Sequence, residues 1–246
     1  MTELVLRNDA DGVAILTLNR PEALNSLSPN LFIELRAHVE SIAVDTENIG
    51  CVILRGAGRS FCAGNDLKSI QEGQVAPTPS YQKDTVNMIE NLPQPVICEV
   101  RGHCYTGGLE LALSCDLLIA SETAKFSDTH GKWGMTPGWG MSQRLPRRVG
   151  TLKAKEMSYT ARAYTGAEAA AMGLANQCVA DSDLEAVVRA MAADIVGTSW
   201  HSLRGNKMLY NEGQDYTFHD GLNFESEKSP GRGPDSEERI AAFAKS

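Results

Sequence analysis

Two short buried strands that each end in a glycine-rich turn constrain this chain more than any other feature of its sequence. Cys51-Val52-Ile53-Leu54 leads into the glycine-rich stretch 56–64, and the strand Pro95 to Val100 leads into Arg101-Gly102-His103-Cys104-Tyr105-Thr106-Gly107-Gly108. The second turn opens an apolar helix at about 107–115, and a further short strand, Leu117 to Ala120, follows it. Strand, crossover and strand in this order imply a mixed or parallel α/β sheet with right-handed crossovers. Glycine in such a turn lets the chain take positive φ, so that the next N–H points outward, unpaired, into a cleft. The turns carry neither GxxxxGK[ST] nor GxGxxG after a strand, so a phosphate-cradling nucleotide loop is not supported.

The rest of the chain fits this frame. Leu4-Val5-Leu6 and Val13 to Leu18 flank Asp11-Gly12, the signal of a hairpin. Ser28-Pro29 reads as an N-cap with proline at the first helical position, and Leu31, Leu35, Val39 and Ile42 give an amphipathic helix its apolar stripe through about residue 44. A helix is expected near 82–91. Gln71 to Ser80 carries two prolines and no periodicity, and reads as a mobile surface loop and a candidate lid. From about residue 151 the pattern is mostly helical, with stripes through Leu152 to Tyr159, Ala167 to Met172, Leu184 to Val196 and Ser199 to Tyr210. The Ser/Pro/Gly run 226–236 reads as a linker before a last short helix. The expected architecture is an α/β core over 1–195 with a C-terminal helical extension over 196–246.

At 246 residues, 42% hydrophobic and 22% charged, the chain can close one large core. Its net charge of -8, without a long block of Lys or Arg, argues against a nucleic-acid surface. The six cysteines, at 51, 62, 98, 104, 115 and 178, form no CxxC pair and no zinc-type spacing, so they read as reduced, mostly buried thiols and no metal is expected. The N-terminus lacks the charged and apolar regions of a signal peptide, and no apolar run approaches the roughly 20 residues of a membrane span. A cytoplasmic protein without a membrane partner is the expectation.

Between Gly107 and Cys115 the only ionisable side chain is Glu110, set among Leu109, Leu111, Ala112 and Leu113. A charge on a helix that is apolar all round needs a reason. One reason is compensation of the free N–H groups in the first turn. The other is catalysis, by a base whose pKa is raised by burial and lowered by the helix end. The sequence leaves both open.

Taken together and in order, these segments resemble the crotonase (enoyl-CoA hydratase/isomerase) superfamily. The matching residues are Arg20-Pro21 with Asn25-Ser26-Leu27, Gly58 to Lys68, Gly107 to Asp116, Ala124-Lys125-Phe126, Pro137-Gly138 and Gln143-Arg144-Leu145-Pro146. The resemblance is strongest over about 1–180. It implies a spiral of ββα turns with helices outside, assembled as a trimer or a dimer of trimers, the C-terminal helices serving trimerisation and covering the active site. It implies an acyl-CoA thioester as substrate, so that coenzyme A belongs to the substrate and no separate cofactor is needed.

By position, the backbone N–H groups of Asn65 and Gly107 correspond to the hole for the thioester oxygen, and two convergent donors are what an enolate oxygen requires. Ala23, Leu24, Ala63, Asn65, Asp66, Leu67, Lys68 and Gly107 correspond to the wall that holds coenzyme A and substrate. Glu110 matches the first of the two glutamates with which hydratases hold the attacking water. The second falls on His130, within Ser127-Asp128-Thr129-His130-Gly131. Imidazole exchanges protons near neutral pH as a carboxylate does, with a different reach and charge. Trp133 and Trp139 stand where they either wall the acyl pocket or pack beneath it. The expected activity is hydration of a 2-enoyl-CoA in fatty acid metabolism. Double-bond isomerisation with a single glutamate base, other crotonase chemistry and non-catalytic acyl-CoA binding are the alternatives.

Overall fold

The computed structural model describes residues 3–244, and the outermost residues of the expected core and extension lie outside this range. Strands β1 (Val5–Ala10) and β2 (Val13–Leu18) pair antiparallel across a two-residue turn. Asp11 and Gly12 in that turn have φ of 51° and 78°, the type I′ geometry that matches the twist of a hairpin. Helix α1 (Pro29–Val44) starts where the Ser28 hydroxyl accepts a hydrogen bond from the Leu31 N–H, and it buries Leu31, Phe32, Leu35, Val39 and Ile42. Its apolar spacing thus selects the face that meets the sheet.

The chain continues through β3 (Cys51–Gly56), α2 (Leu67–Gln71), α3 (Tyr81–Glu90), β4 (Val96–Val100), β5 (His103–Tyr105), α4 (Gly107–Leu113), β6 (Leu117–Ser121) and β7 (Lys125–Ser127). It then forms α5 (Met141–Val149), α6 (Thr151–Thr160), β8 (Tyr164–Thr165), α7 (Gly166–Ala171), β9 (Gln177–Val179), α8 (Leu184–Gly197), α9 (Trp200–Gly213), α10 (Phe218–Lys228) and α11 (Ser236–Phe243). The large sheet has the order β1-β2-β3-β4-β6-β9, parallel from β2 onward, and a small sheet has the order β5-β7-β8.

From β4 and from β6 the chain lays one strand in the large sheet, bends, and lays a short strand in the small one; after β5 it leaves directly as a helix. This is the ββα spiral expected from the sequence. The turn after β3 follows the same course with a single bridge, Cys62 to Cys104. Because side chains alternate across a strand, Leu16, Val52, Leu54, Cys98 and Leu118 enter the main core, while Ile15, Ile53, Ile97 and Ile119 face Leu184, Val188 and Ala192 of α8. Helix α9 is tied down by Lys207, whose Nζ donates to the Gln94 carbonyl at 2.9 Å and to Asp116 Oδ2 at 2.7 Å.

The sequence did not reveal β5, β7 and β8, or the helix α5. Residues 226–228, read as the start of a linker, close α10 instead. Residues 72–80 form an exposed connection between α2 and α3, in keeping with a loop. Among the described residues, no helix is long and apolar enough to cross a membrane.

Candidate active site

The two glycine-rich turns lie side by side because Cys62 and Cys104 pair as adjacent strand residues. The Cys62 N–H donates to the His103 carbonyl at 2.8 Å, and the Tyr105 N–H donates to the Cys62 carbonyl at 3.0 Å. Burial pushes the Cys62 thiol up to about 12, so it stays a neutral packing group. Asn65 and Gly107 each follow their paired cysteine by three residues, and each follows a residue of positive φ: Gly64 at 103° and Thr106 at 52°. Among the described residues neither the Asn65 N–H nor the Gly107 N–H has a hydrogen-bond partner. The two turns therefore present one unpaired donor each, at equivalent places three residues past the bridge.

Thr106, with φ 52° and ψ -113°, occupies a region that a β-branched residue visits only under constraint. Its N–H donates to the Ser127 carbonyl at 2.9 Å, and its hydroxyl meets that of Thr129 in a short hydrogen bond. These contacts hold the strained residue and tie the Gly107 turn to the segment that carries His130. Trp139 lies against Gly107 so closely that an added Cβ would stand 2.6 Å from its ring, and its other edge packs on Phe32 at a centroid distance of 5.1 Å. Trp139 is thus a wall of the site, whereas Trp133 is exposed.

Glu110 is buried in the first turn of α4. Its Oε1 does not serve the free N–H groups of its own helix. It accepts from the Trp139 N–H at 2.8 Å and the Met141 N–H at 3.2 Å. Arg144 of the Gln143-to-Pro146 segment sets that loop by donating to the Trp139 carbonyl at 2.6 Å while its Nε donates to Glu90 at 2.9 Å. Burial raises the Glu110 pKa, the two backbone donors oppose it, and the net shift is upward. Oε2 stands 3.7 Å from His130 Nε2. His130 is held from its other side by Asp128, whose Oδ1 lies 2.7 Å from Nδ1. A cavity of about 390 Å³ opens beside this pair, lined in part by His130, Met135, Met141, Leu145 and Ser158.

The structure thus brings Asn65, Gly107, Glu110 and His130 together. Leu24 and Ala63 join them, since the Ala63 N–H donates to the Leu24 carbonyl at 3.0 Å, and Ala23 precedes Leu24 at the end of a single 3-10 turn. Asp66 is engaged locally. It pairs with Arg20 at 2.7 Å and accepts from the Lys68 and Ser69 N–H groups at 3.1 and 3.2 Å. Burial pushes its carboxyl up, but the Arg20 and Ser69 bonds outweigh this and hold it below the usual carboxylate range. Leu67 begins α2, and the Lys68 side chain is exposed, 3.8 Å from Glu72. Sequence reasoning missed Thr106, because nothing in a threonine advertises positive φ, and missed the donors of Trp139 and Met141, which are backbone groups.

Known proteins resemble this chain in sequence and fold. Residues 8–238 match the family model described as Enoyl-CoA hydratase/isomerase. YngF of Bacillus subtilis, named for the same hydratase/isomerase group, is 40% identical over 217 residues, 87% of this chain and 83% of its own. The crystal structure of an enoyl-CoA hydratase from Bacillus anthracis superposes with a TM-score of 0.92 at 34% identity, covering 98% of this chain and 96% of that one. A monofunctional enoyl-CoA isomerase from Mycobacterium smegmatis superposes with a TM-score of 0.78 at 33% identity, covering 89% and 98%. The chain belongs to the enoyl-CoA hydratase/isomerase family, and so to the crotonase superfamily of enzymes.

Proposed function

We propose that this enzyme adds water across the double bond of a 2-enoyl-CoA thioester. The observation that carries the reading is a pair of buried proton-handling groups, Glu110 Oε2 and His130 Nε2, 3.7 Å apart and beside two unpaired backbone N–H groups. In this reading the Asn65 and Gly107 N–H groups donate to the thioester oxygen and stabilise the charge that develops there. Glu110, as carboxylate, takes a proton from water while the water oxygen bonds to C3 and the C2–C3 π electrons move into the enolate. A proton from imidazolium His130 or from Glu110 then reaches C2, and the enolate collapses to the 3-hydroxyacyl thioester. When His130 is the donor, transfer of the proton from Glu110 to Nε2 restores the starting state. The segments 23–24 and 63–68 form the wall for coenzyme A, with the exposed Lys68, beside Glu72, set to meet a phosphate at its rim.

A second reading is double-bond isomerisation, favoured by one observation: Glu110 is the only carboxylate of the site not already engaged by side chains, since Asp128 is held by His130 and Ser158. We further propose a homotrimer or dimer of trimers, in a cytoplasmic setting, with the helices beyond residue 196 as its contact and as the site's cover. The exposed apolar side chains Tyr210, Phe218 and Leu222 support that role. The test is incubation with 2-enoyl- and 3-enoyl-CoA esters and mass spectrometry of the products. Gain of one water on 2-enoyl esters is the expected result. Conversion of 3-enoyl to 2-enoyl esters without water uptake would favour isomerisation, and binding without conversion of either would overturn both.

A further inference from the structure

Asp128 has no direct part in that chemistry, yet it is buried and fully engaged. Its Oδ1 accepts from the His130 backbone N–H at 3.2 Å and lies 2.7 Å from His130 Nδ1, and its Oδ2 accepts from the Ser158 hydroxyl at 2.6 Å. Burial pushes the Asp128 carboxyl up, and the bonds from His130 and Ser158 outweigh it, so the group is held below the usual carboxylate range and is ionised. An ionised carboxylate only accepts hydrogen bonds. Nδ1 therefore carries the hydrogen, and Nε2 is the nitrogen that gains or gives up a proton.

We infer that Asp128, itself oriented by Ser158, is a positioning residue that fixes His130 as the Nδ1–H tautomer and turns Nε2 toward Glu110. The two partners are locked in the same manner. Glu110 has Oε1 occupied by the Trp139 and Met141 N–H groups, and His130 has Nδ1 occupied by Asp128, so the one free atom of each faces the other. Their separation of 3.7 Å exceeds a hydrogen bond, so neither atom is consumed by the other and both remain open to a bound substrate. Ser158 lies on α6, thirty residues beyond Asp128, so the aim of His130 depends on a contact between distant segments.

The competing role for Asp128 is packing alone, as the acceptor that closes the turn onto the His130 backbone N–H. The part of the inference that concerns turnover rests on the hydratase reading; the tautomer does not. The first measurement is therefore made without substrate, by NMR of protein labelled with 15N-histidine and followed over pH until the ring is neutral, since the two ring nitrogens report each tautomer separately. The wild-type His130 ring is expected in the Nδ1–H form, and Asp128→Ala is expected to show the mixed tautomers of an unheld ring. A wild-type ring in the Nε2–H form overturns the inference whatever the enzyme's substrate, and whether or not Asp128→Ala folds.

The second measurement uses the ester that the product panel identifies. Asp128→Ala is expected to lower kcat by about 10²-fold, the scale of general acid–base catalysis, with KM near that of the wild type. Ser158→Ala, which leaves the carboxylate in place but loosens it, is expected to lower kcat by a smaller factor. Unchanged kcat per folded molecule in both variants, with only thermal stability reduced, overturns the positioning role.

Discussion

Gly107 sits against the Trp139 ring with no room for a methyl group, which makes Gly107→Ala a sharp probe of the site. The added Cβ would stand 2.6 Å from Trp139 Cζ3 and 3.2 Å from Asn65 Oδ1, and neither neighbour is backbone, so the indole must move. Gly107 does not have positive φ, so the cost is one of packing and not of backbone strain. Overpacking of this kind costs about 1–3 kcal/mol, which for a chain of this length lowers Tm by roughly 2–12 °C. The Trp139 N–H also donates to Glu110, and displacing it weakens a bond to a carboxylate that is worth about 1.5–3 kcal/mol. If that bond is lost, the Glu110 pKa rises further, because one of the two backbone donors that favour the carboxylate is gone. Calorimetry and a pH–rate profile on the same protein read both effects. The double variant with Trp139→Leu removes the clash and is expected to recover part of the lost stability, giving a measurable coupling energy. Unchanged Tm together with an unchanged acid limb in Gly107→Ala would refute the placement of the indole over the Gly107 turn.

Four further outcomes are expected. Glu110→Gln keeps the shape of the site and removes the base, so turnover falls by about 10²-fold or more while thioester binding by calorimetry stays near that of the wild type. Glu110 must be ionised to accept a proton, and burial holds its pKa above the ordinary carboxylate range. The rate is therefore lost as pH falls through that raised value, and a profile whose acid limb lies in the ordinary range would contradict it. A raised carboxylate pKa also means that the stability linked to this group is present below its unfolded pKa and lost as pH rises through the folded one, so Glu110→Gln is expected to match or exceed wild-type Tm at neutral pH. Lys207→Met breaks a pair with Asp116 and leaves the Gln94 carbonyl without its donor. A cost of about 2 kcal/mol follows, since Asp116 is partly exposed and less penalised than a fully buried charge, and the Tm falls by roughly 4–8 °C.

Features carried by local chemistry were legible in the sequence. Asp11-Gly12 announces its hairpin, Ser28-Pro29 its helix, and the two glycine turns their unpaired donors, because each depends on residues within a few positions of one another. The small sheet was not legible. β5 and β7 have three residues each and β8 has two, too few for a period to register, and they exist because the spiral brings them edge to edge. Helix α5 was hidden by Pro146 within it and by its run of polar side chains. In the site, the sequence placed Glu110 and His130 and left open what the glutamate does in its apolar helix. The answer came from backbone donors 29 and 31 residues away, which no side-chain pattern encodes. Asp128 stands two residues before His130 in the sequence, but Ser158, its own support, arrives from another helix.

The bridge between Cys62 and Cys104 has a consequence for what such an enzyme is able to become. The two N–H donors sit three residues past that bridge, each after a residue of positive φ, so their spacing rests on backbone pairing and two backbone turns. That gauge is set by peptide geometry, and no side-chain exchange in the surrounding pocket resizes it while the bridge stands. In the proposed reaction the cradle for the enolate is in this sense a fixed fitting, and the proton-handling residues are interchangeable parts mounted around it. In that reading a histidine at position 130 alters which group delivers the proton, while the intermediate it serves is held as before. On that proposal, change of reaction is open through one side chain opposite Glu110, and change of the intermediate is closed unless the two turns themselves are moved apart.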